Sequence, residues 1–373
     1  MKIEQIETFV ADRFFFVRLT TDDGTQGIGE GTFWSFPRAA ESVVNSYSDM
    51  LLGQDPMRIE HIWNTLYRRY SFRGGAVGAA ISAIDQALWD IKGKRYDAPV
   101  WDLLGGRVRD KVRAMCLLNA QGKDGLVESA ARAVRDGFTA VKMTPFPIGW
   151  PEKRYPNLIR ECTDIVAAIR ETVGWDVDIG VEIHRNMVPS EAIVFAQQIE
   201  KFLPYFYEDP IAPDSVMSMR DVADKVNLPI AVGERNHTIW EFREFSEING
   251  VAYVRPDVSL AGGISHVKKI AAIAESYHQR VIPHNFLGPV GTAVDVQLAA
   301  CTQNWDLQEY FREDSAPRTT VVKQVSRLNN GYLEIPETPG IGMELNDQGI
   351  AGLPHSPSPG DSSTREDGSV ALR

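Results

Sequence analysis

Cysteine is scarce. The 373 residues hold three, Cys116, Cys162 and Cys301, with no CxxC pair among them. So few thiols make no disulfide framework, and the expectation is buried structural thiols in a reducing compartment, the cytoplasm. Long apolar runs are missing as well. No stretch approaches the ~18 residues a membrane-spanning helix needs, and the opening segment MKIEQIETFVADRFFFVRLTTDDG carries acids inside its apolar stretch, unlike a secretory signal. Positive charge is in deficit, with a net charge of −11. Such a surface repels polyanions, which argues against nucleic acid or an anionic membrane as partner. A small anionic substrate stays allowed, because a metal ion or lysine reverses the sign inside a cleft. The 43% hydrophobic and 24% charged residues are ordinary for a soluble globular chain, and the length suits about two domains with a sizeable core.

What is present is a ladder of acidic and histidine residues in the second half. Glu182, Glu208 and Glu234 are 26 residues apart, twice over, and Asp257, His284 and Glu309 follow at intervals of 23, 27 and 25. Each ends or follows a short apolar run: DIGVE, PYFYE, IAVGE, AYVRPD, RVIPH, WDLQE. That period is one strand, one helix and two loops, although no residue-level repeat accompanies it. A polar residue at each strand's C-terminal end is how a (β/α) barrel builds an active site at one mouth. Eight strand candidates, from RAMCLL through FTAVKMT to WDLQE, alternate with helical stretches such as SEAIVFAQQIEKF. The last helix reads as short or absent.

Residues 1–112 follow another order, strands and then helices, which predicts an α+β domain. Strands over 3–11 and 13–21 lead to an aromatic loop holding Trp34 and Phe36. A small-residue-rich helix, GAVGAAISAIDQALWDIKGK, is expected to stop at Gly93. The barrel is expected over 113–330. The extended, Pro/Gly-rich segment 331–353 is expected to return to the first domain, and 354–373 to be a flexible tail.

Three carboxylates from successive strands suit a hard divalent cation, Mg²⁺, one per site, with waters or substrate oxygens completing the shell. One such glutamate alone is more often a helix cap or an ion pair; three at equal intervals are not. Asp257 beside His284 would fix the imidazole tautomer and make a better general base. His184, two residues past Glu182, should face the same mouth from the other side, as an acid or as a ligand. Lys142 in AVKMT would offset developing negative charge. Glu309 would bond the substrate or bridge to Lys142. Asn186, Arg185 and Arg235 are candidates for hydroxyl recognition. Trp34, Phe36, Arg38, Trp150, Lys153 and Arg154 are candidates for closing over a substrate, with ordinary loop packing as the alternative.

These residues resemble the enolase superfamily and, within it, the mandelate racemase-like sugar-acid dehydratases. The resemblance spans about 1–345. SAIDQALWDIKGKRYDAPVWDLLGG is similar to the family's capping-domain helix and turn, and FYEDP, GER, RPDVSLAGGISH and PHNFLGPVG to its successive strand ends. It implies a modified TIM barrel of (β/α)7β type under an N-terminal α+β capping domain. It also implies Glu182, Glu208 and Glu234 as Mg²⁺ ligands, Asp257–His284 as the dyad, and Glu309 as the acid near the substrate carboxylate. Lys142 matches the first lysine of the family's KxK motif; Thr144 replaces the second, which argues against racemisation by that device. His184 matches the general acid of galactonate dehydratase-like members. Glu182 stands where most of that subgroup has aspartate. The implied activity is dehydration of a sugar acid to a 2-keto-3-deoxy acid by a homo-oligomer, dimer to octamer. Epimerisation or cycloisomerisation through the same enolate stays open, and a non-catalytic scaffold or a Schiff-base aldolase using Lys142 is a remoter reading.

Overall fold

The computed structural model describes residues 1–356 and 364–371. It begins with an antiparallel sheet of β1 (Ile3–Ala11), β2 (Phe14–Thr21) and β3 (Gln26–Glu30). The β2–β3 turn falls at Asp22-Asp23-Gly24. Asp23 Oδ1 accepts from the Thr25 backbone N–H at 3.2 Å and from Thr21 Oγ1 at 2.6 Å, an Asx-type turn. Helices Pro37–Ser46, Ile59–Arg69 and Gly75–Arg95 follow, giving the expected α+β order. The last of them runs past Gly93, contrary to the expected stop. A Cβ at Gly93 would lie 2.5 Å from Gly340 Cα, so the glycine admits a crossing chain and does not end the helix.

Eight strands then form the barrel: β4 (Lys111–Leu117), β5 (Ala140–Met143), β6 (Asp178–Glu182), β7 (Phe206–Glu208), β8 (Ile230–Val232), β9 (Val251–Val254), β10 (Arg280–Val281) and β11 (Gln308–Tyr310). Neighbours pair in parallel in chain order, β11 pairs with β4, and a bridge from Val281 to Trp305 closes the ring. Seven helices of eight residues or more lie in the connections. Tyr155–Val173 shows why they pack there: Leu158, Cys162, Ile165, Ile169 and Val173 are buried at helical spacing along one stripe. After β11 comes a helix of four residues, Arg318–Val321. The hairpin β12 (Leu328–Asn329) and β13 (Tyr332–Glu334) then adds antiparallel to the start of β4. Gly340 accepts from the Val100 N–H at 2.9 Å, and the Ile341 N–H donates to Asp90 Oδ1 at 2.9 Å, so this segment docks on the first domain. Of the expected tail, Pro354 and Ser356 bond to the Asp12 backbone; residues 357–363 and 372–373 lie outside the described residues.

Side-chain alternation positions the site. A buried layer inside the barrel takes Met115, Ala140, Phe206, Ala231, Tyr253, Ile282 and Leu307, one from each of seven strands or their ends. The eighth, β6, contributes Gly180, whose absent Cβ leaves room for the Phe206 ring. Successive inward positions in a strand are two residues apart. The next inward residue toward the C-terminal mouth is therefore Lys142, Glu182, Glu208, Arg255, His284 and Glu309 on six of these strands. The apolar floor thus fixes which residues become the polar layer above it. On β8 the two-residue step falls on Gly233, at φ +130°, a conformation open to glycine and closed to most residues, and the polar residue is the next one, Glu234.

Candidate active site

Lys142 stands at the centre. Its Nζ lies 3.1 Å from Glu182, 3.1 Å from Glu208 and 3.1 Å from Glu309, with only 3% of the side chain exposed. Arg255, fully buried, places Nε 2.5 Å from Glu208 Oε1, pairs Nη2 with Glu309 Oε2, and donates Nη1 to the Ile282 carbonyl at 3.1 Å. Glu309 therefore makes the bridge to Lys142 that was one of its two readings. Arg185 joins Asp209, at 3.0 Å, to Glu234. His184 and Arg185 hold positive φ values of +51° and +67°, and Asp209 one of +39°. Left-handed backbone at non-glycine residues costs about 1–3 kcal/mol each, and clusters where a site imposes it.

Six carboxylates (Glu182, Glu208, Asp209, Glu234, Asp257, Glu309) face three fixed cations (Lys142, Arg185, Arg255) in this layer. The surplus shows in the titration behaviour. Burial and neighbouring acids push Glu208 up to about 7 and Asp209 up to about 8. A hard divalent cation would relieve the same surplus, and the donors fit one. The compact group is Glu182, His184 and Glu234, whose ligand atoms lie within 4.8 Å of one another. The expected ligand set shares Glu182 and Glu234 with this group. Glu208 lies deeper, with Lys142 Nζ 3.1 Å from its Oε2 and Arg255 Nε 2.5 Å from its Oε1.

Beside this group, His284 Nδ1 lies 2.8 Å from Asp257 Oδ2, and Asp257 Oδ1 accepts from the Ser259 N–H at 2.8 Å. The carboxylate orients the ring and leaves Nε2 facing the mouth, 4.0 Å from Glu234 Oε2. Burial alone would lower the His284 pKa; Glu234 and Asp257 outweigh it and raise the group. Burial does lower that of His184. Glu234 thus stands between two imidazoles in different electrostatic settings.

The candidates nearer the rim divide. Asn186 is buried, and among the described residues its Oδ1 has no hydrogen-bond partner. Trp34 packs edge-to-face on Phe286, ring centroids 4.8 Å apart, two residues past His284. Phe36 is 61% exposed and rests on Phe33. Arg38 pairs with Glu41 at 2.9 Å on an exposed helix face, Arg235 is exposed, Lys153 pairs with Glu161, and Trp150 packs on Phe146. Sequence reasoning passed over Arg255, Asp209 and the buried Asn236. Arg255 shows its place only once Tyr253 is known to face inward, since it lies two residues past that floor residue, the offset shared by Lys142, Glu182, Glu208, His284 and Glu309.

Known proteins agree with this architecture. Residues 4–105 match the mandelate racemase/muconate lactonizing enzyme N-terminal domain, and residues 125–349 the enolase C-terminal domain-like family. A D-galactonate dehydratase of Variovorax paradoxus is 33% identical over 368 residues, covering 96% of this chain and 95% of that one. One from Verminephrobacter eiseniae is 35% identical over 358 residues, 93% of each. Among solved structures, an enolase of Agrobacterium radiobacter, provisionally named a galactarate dehydratase and bound to Na and L-malate, superposes with a TM-score of 0.95. It is 30% identical, and the match covers 100% of both chains. With both of its domains matched in order, the chain belongs to the mandelate racemase/muconate lactonizing enzyme family of the enolase superfamily.

Proposed function

We propose that the protein dehydrates a sugar acid by C2 proton abstraction followed by loss of the 3-hydroxyl. It is a hydro-lyase of the enolase superfamily, in keeping with its D-galactonate dehydratase relatives. The observation that carries the reaction is the oriented His284–Asp257 pair, 2.8 Å apart, opening on a layer of carboxylates and buried cations. Deprotonation at C2 puts a second negative charge beside a carboxylate, so the site must supply positive charge and a correctly placed base. In our reading Glu182, Glu208 and Glu234 hold Mg²⁺, with His184 in reach. When bound there, a divalent cation would supply charge that acidifies the C2 proton and would offset the upward push of Glu234 on His284.

His284 Nε2 takes the C2 proton, and Asp257 stabilises the imidazolium that results. Lys142 and Arg255 contribute fixed positive charge at the floor of the site. His184, whose protonation burial disfavours in the free protein, takes up a proton with the anionic substrate and donates it to the departing 3-hydroxyl, which leaves as water, and the enol tautomerises to the 2-keto-3-deoxy acid. Asn186 Oδ1 accepts from a substrate hydroxyl. Trp34 closes the rim. The free, buried state of all three cysteines suits our placement of the enzyme in the cytoplasm, where we expect a homo-oligomer. Among the described residues no helix is long and apolar enough to cross a membrane.

The test is a screen of the purified protein with Mg²⁺ against aldonic, uronic and aldaric acids. It is read by semicarbazone formation from 2-keto acids and by product mass. A product lighter by one water is expected. A keto acid or epimer isobaric with its substrate would turn the assignment to cycloisomerisation or epimerisation.

A further inference from the structure

Two guanidinium groups outside the central cluster flank the mouth where β10 and β11 meet the first domain. Arg13, in the β1–β2 turn, lies 5.6 Å from the Trp34 ring centroid and 5.7 Å from that of Phe14. Arg318 lies 4.3 Å from the Phe311 centroid and also 5.7 Å from that of Phe14. Between them runs a ladder of three rings, Trp34, Phe286 and Phe311, with successive centroids 4.8 Å apart and edges on faces. Phe286 is two residues past His284 and Phe311 two past Glu309, so the ladder stands as a wall beside the proposed base.

This pair of like charges is poorly answered. Among the described residues, Arg13 Nε and Arg318 Nε are both buried N–H donors without a hydrogen-bond partner. Among the described residues, the carboxylate within ion-pair range of Arg13 is Asp12, at 3.6 Å, beyond hydrogen-bond distance. Arg318 donates Nη2 to the Leu287 carbonyl at 3.0 Å, a neutral group. Glu30 and Glu313 lie nearby and partly answer Arg318, although burial pushes both carboxyls up, Glu313 to about 7. After burial, the charge of Arg13 is the next cause lowering the Arg318 pKa, to about 10. Two guanidiniums that repel one another, each with an Nε–H left without a hydrogen bond, describe a place for an anion. A carboxylate answers both the charge and the planar donor geometry, whereas a hydroxyl answers neither.

We propose that Arg13 is a specificity residue for the far end of the substrate, and that the preferred substrate is a sugar diacid, an aldarate, whose distal carboxylate pairs with Arg13 against the Trp34 wall. This rests on the dehydratase reading, in which the first carboxylate sits among the strand-end residues. The Trp34 ring, itself 41% exposed, flanks the pairing on one side, and Arg318 adds long-range attraction from behind Phe14.

The experiment compares kcat and KM for six-carbon aldarates and the matching aldonates in the wild type, Arg13→Gln and Arg13→Lys. Circular dichroism on each variant confirms folding. The wild type is expected to favour the best diacid over its monoacid by at least tenfold in kcat/KM. Arg13→Gln removes that preference, mainly through a higher KM for the diacid, and Arg13→Lys keeps part of it. A wild-type preference for monoacids, or an equal loss on both acid classes in Arg13→Gln, overturns the inference while leaving dehydration intact. If neither class turns over, the dehydratase reading itself has failed. Isothermal titration of di- against monocarboxylates, wild type against Arg13→Gln, then still decides whether Arg13 selects a second carboxylate.

Discussion

Arg255→Met tests the electrostatic core of the site without requiring a substrate. Arg255 is fully exchanged from water for Glu208, Glu309 and the Ile282 carbonyl, and those two carboxylates are 0% and 1% exposed. Methionine fills much of the same volume, so the change removes charge and hydrogen bonds more than packing. Breaking a buried ion pair by deleting one partner costs about 3–5 kcal/mol, because the remaining charges have neither partner nor water. Lys142 stays 3.1 Å from both carboxylates and recovers part of the loss. The expectation is therefore near the lower bound, about 3 kcal/mol. The assay is urea denaturation in EDTA, read by tryptophan fluorescence and circular dichroism, with the midpoint and slope fitted together. A change below about 1 kcal/mol at equal slope, the range of a solvent-exposed pair, would refute the reasoning, since it would mean that the carboxylates reach water or protons without Arg255.

Asp257→Asn removes the acceptor that orients His284 Nδ1 while preserving shape. With the tautomer no longer fixed, kcat for keto-acid formation should fall by about 10³–10⁴, together with C2 hydrogen–deuterium exchange followed by NMR; exchange at the wild-type rate would remove His284 from the base role. Mg²⁺ should raise the thermal midpoint of the wild type, by about 2.7 kcal/mol of added stability at a hundredfold excess over Kd. Glu234→Gln should abolish most of that response in a melting experiment. Asp85 is buried, bonded to Ser265 by its side chain at 2.5 Å, and pushed up to about 7 by burial. Its folded pKa exceeds its unfolded one, so its contribution is complete below about pH 4 and is lost as pH rises through about 7. Urea midpoints at pH 5 and pH 8 should therefore differ less in Asp85→Asn than in the wild type.

The barrel was legible because its period is a matter of geometry. Each strand, helix and pair of loops takes about 25 residues, and the polar residue recurs with them at Glu182, Glu208 and Glu234. Lys142, Asp257 and His284 were likewise marked by the ends of apolar runs. Arg255 was hidden for a physical reason: in AYVRPD the arginine looks like a loop residue until Tyr253 below it is known to face inward. Rim contacts were less legible. Nothing in TFWSFPR distinguishes Trp34, which meets Phe286 from another domain, from Arg38, which turns to Glu41 one helical turn away. Arg13 was read only as part of a strand, because its significance depends on Arg318, some 300 residues later and brought near only by the closed barrel. Gly93 looked like a stop signal, while its reason lay at Gly340.

The docking of Ile341 on Asp90 and of Gly340 on Val100 has a consequence in time. During synthesis the first domain emerges with these positions open, and about 240 more residues must follow; at ~5–20 residues per second that interval is roughly 10–50 s. Throughout it the Asp90 carboxylate and the face around Gly93 wait for the strap that covers them. The domain made first is thus completed last, and the whole barrel must be translated before its lid is finished.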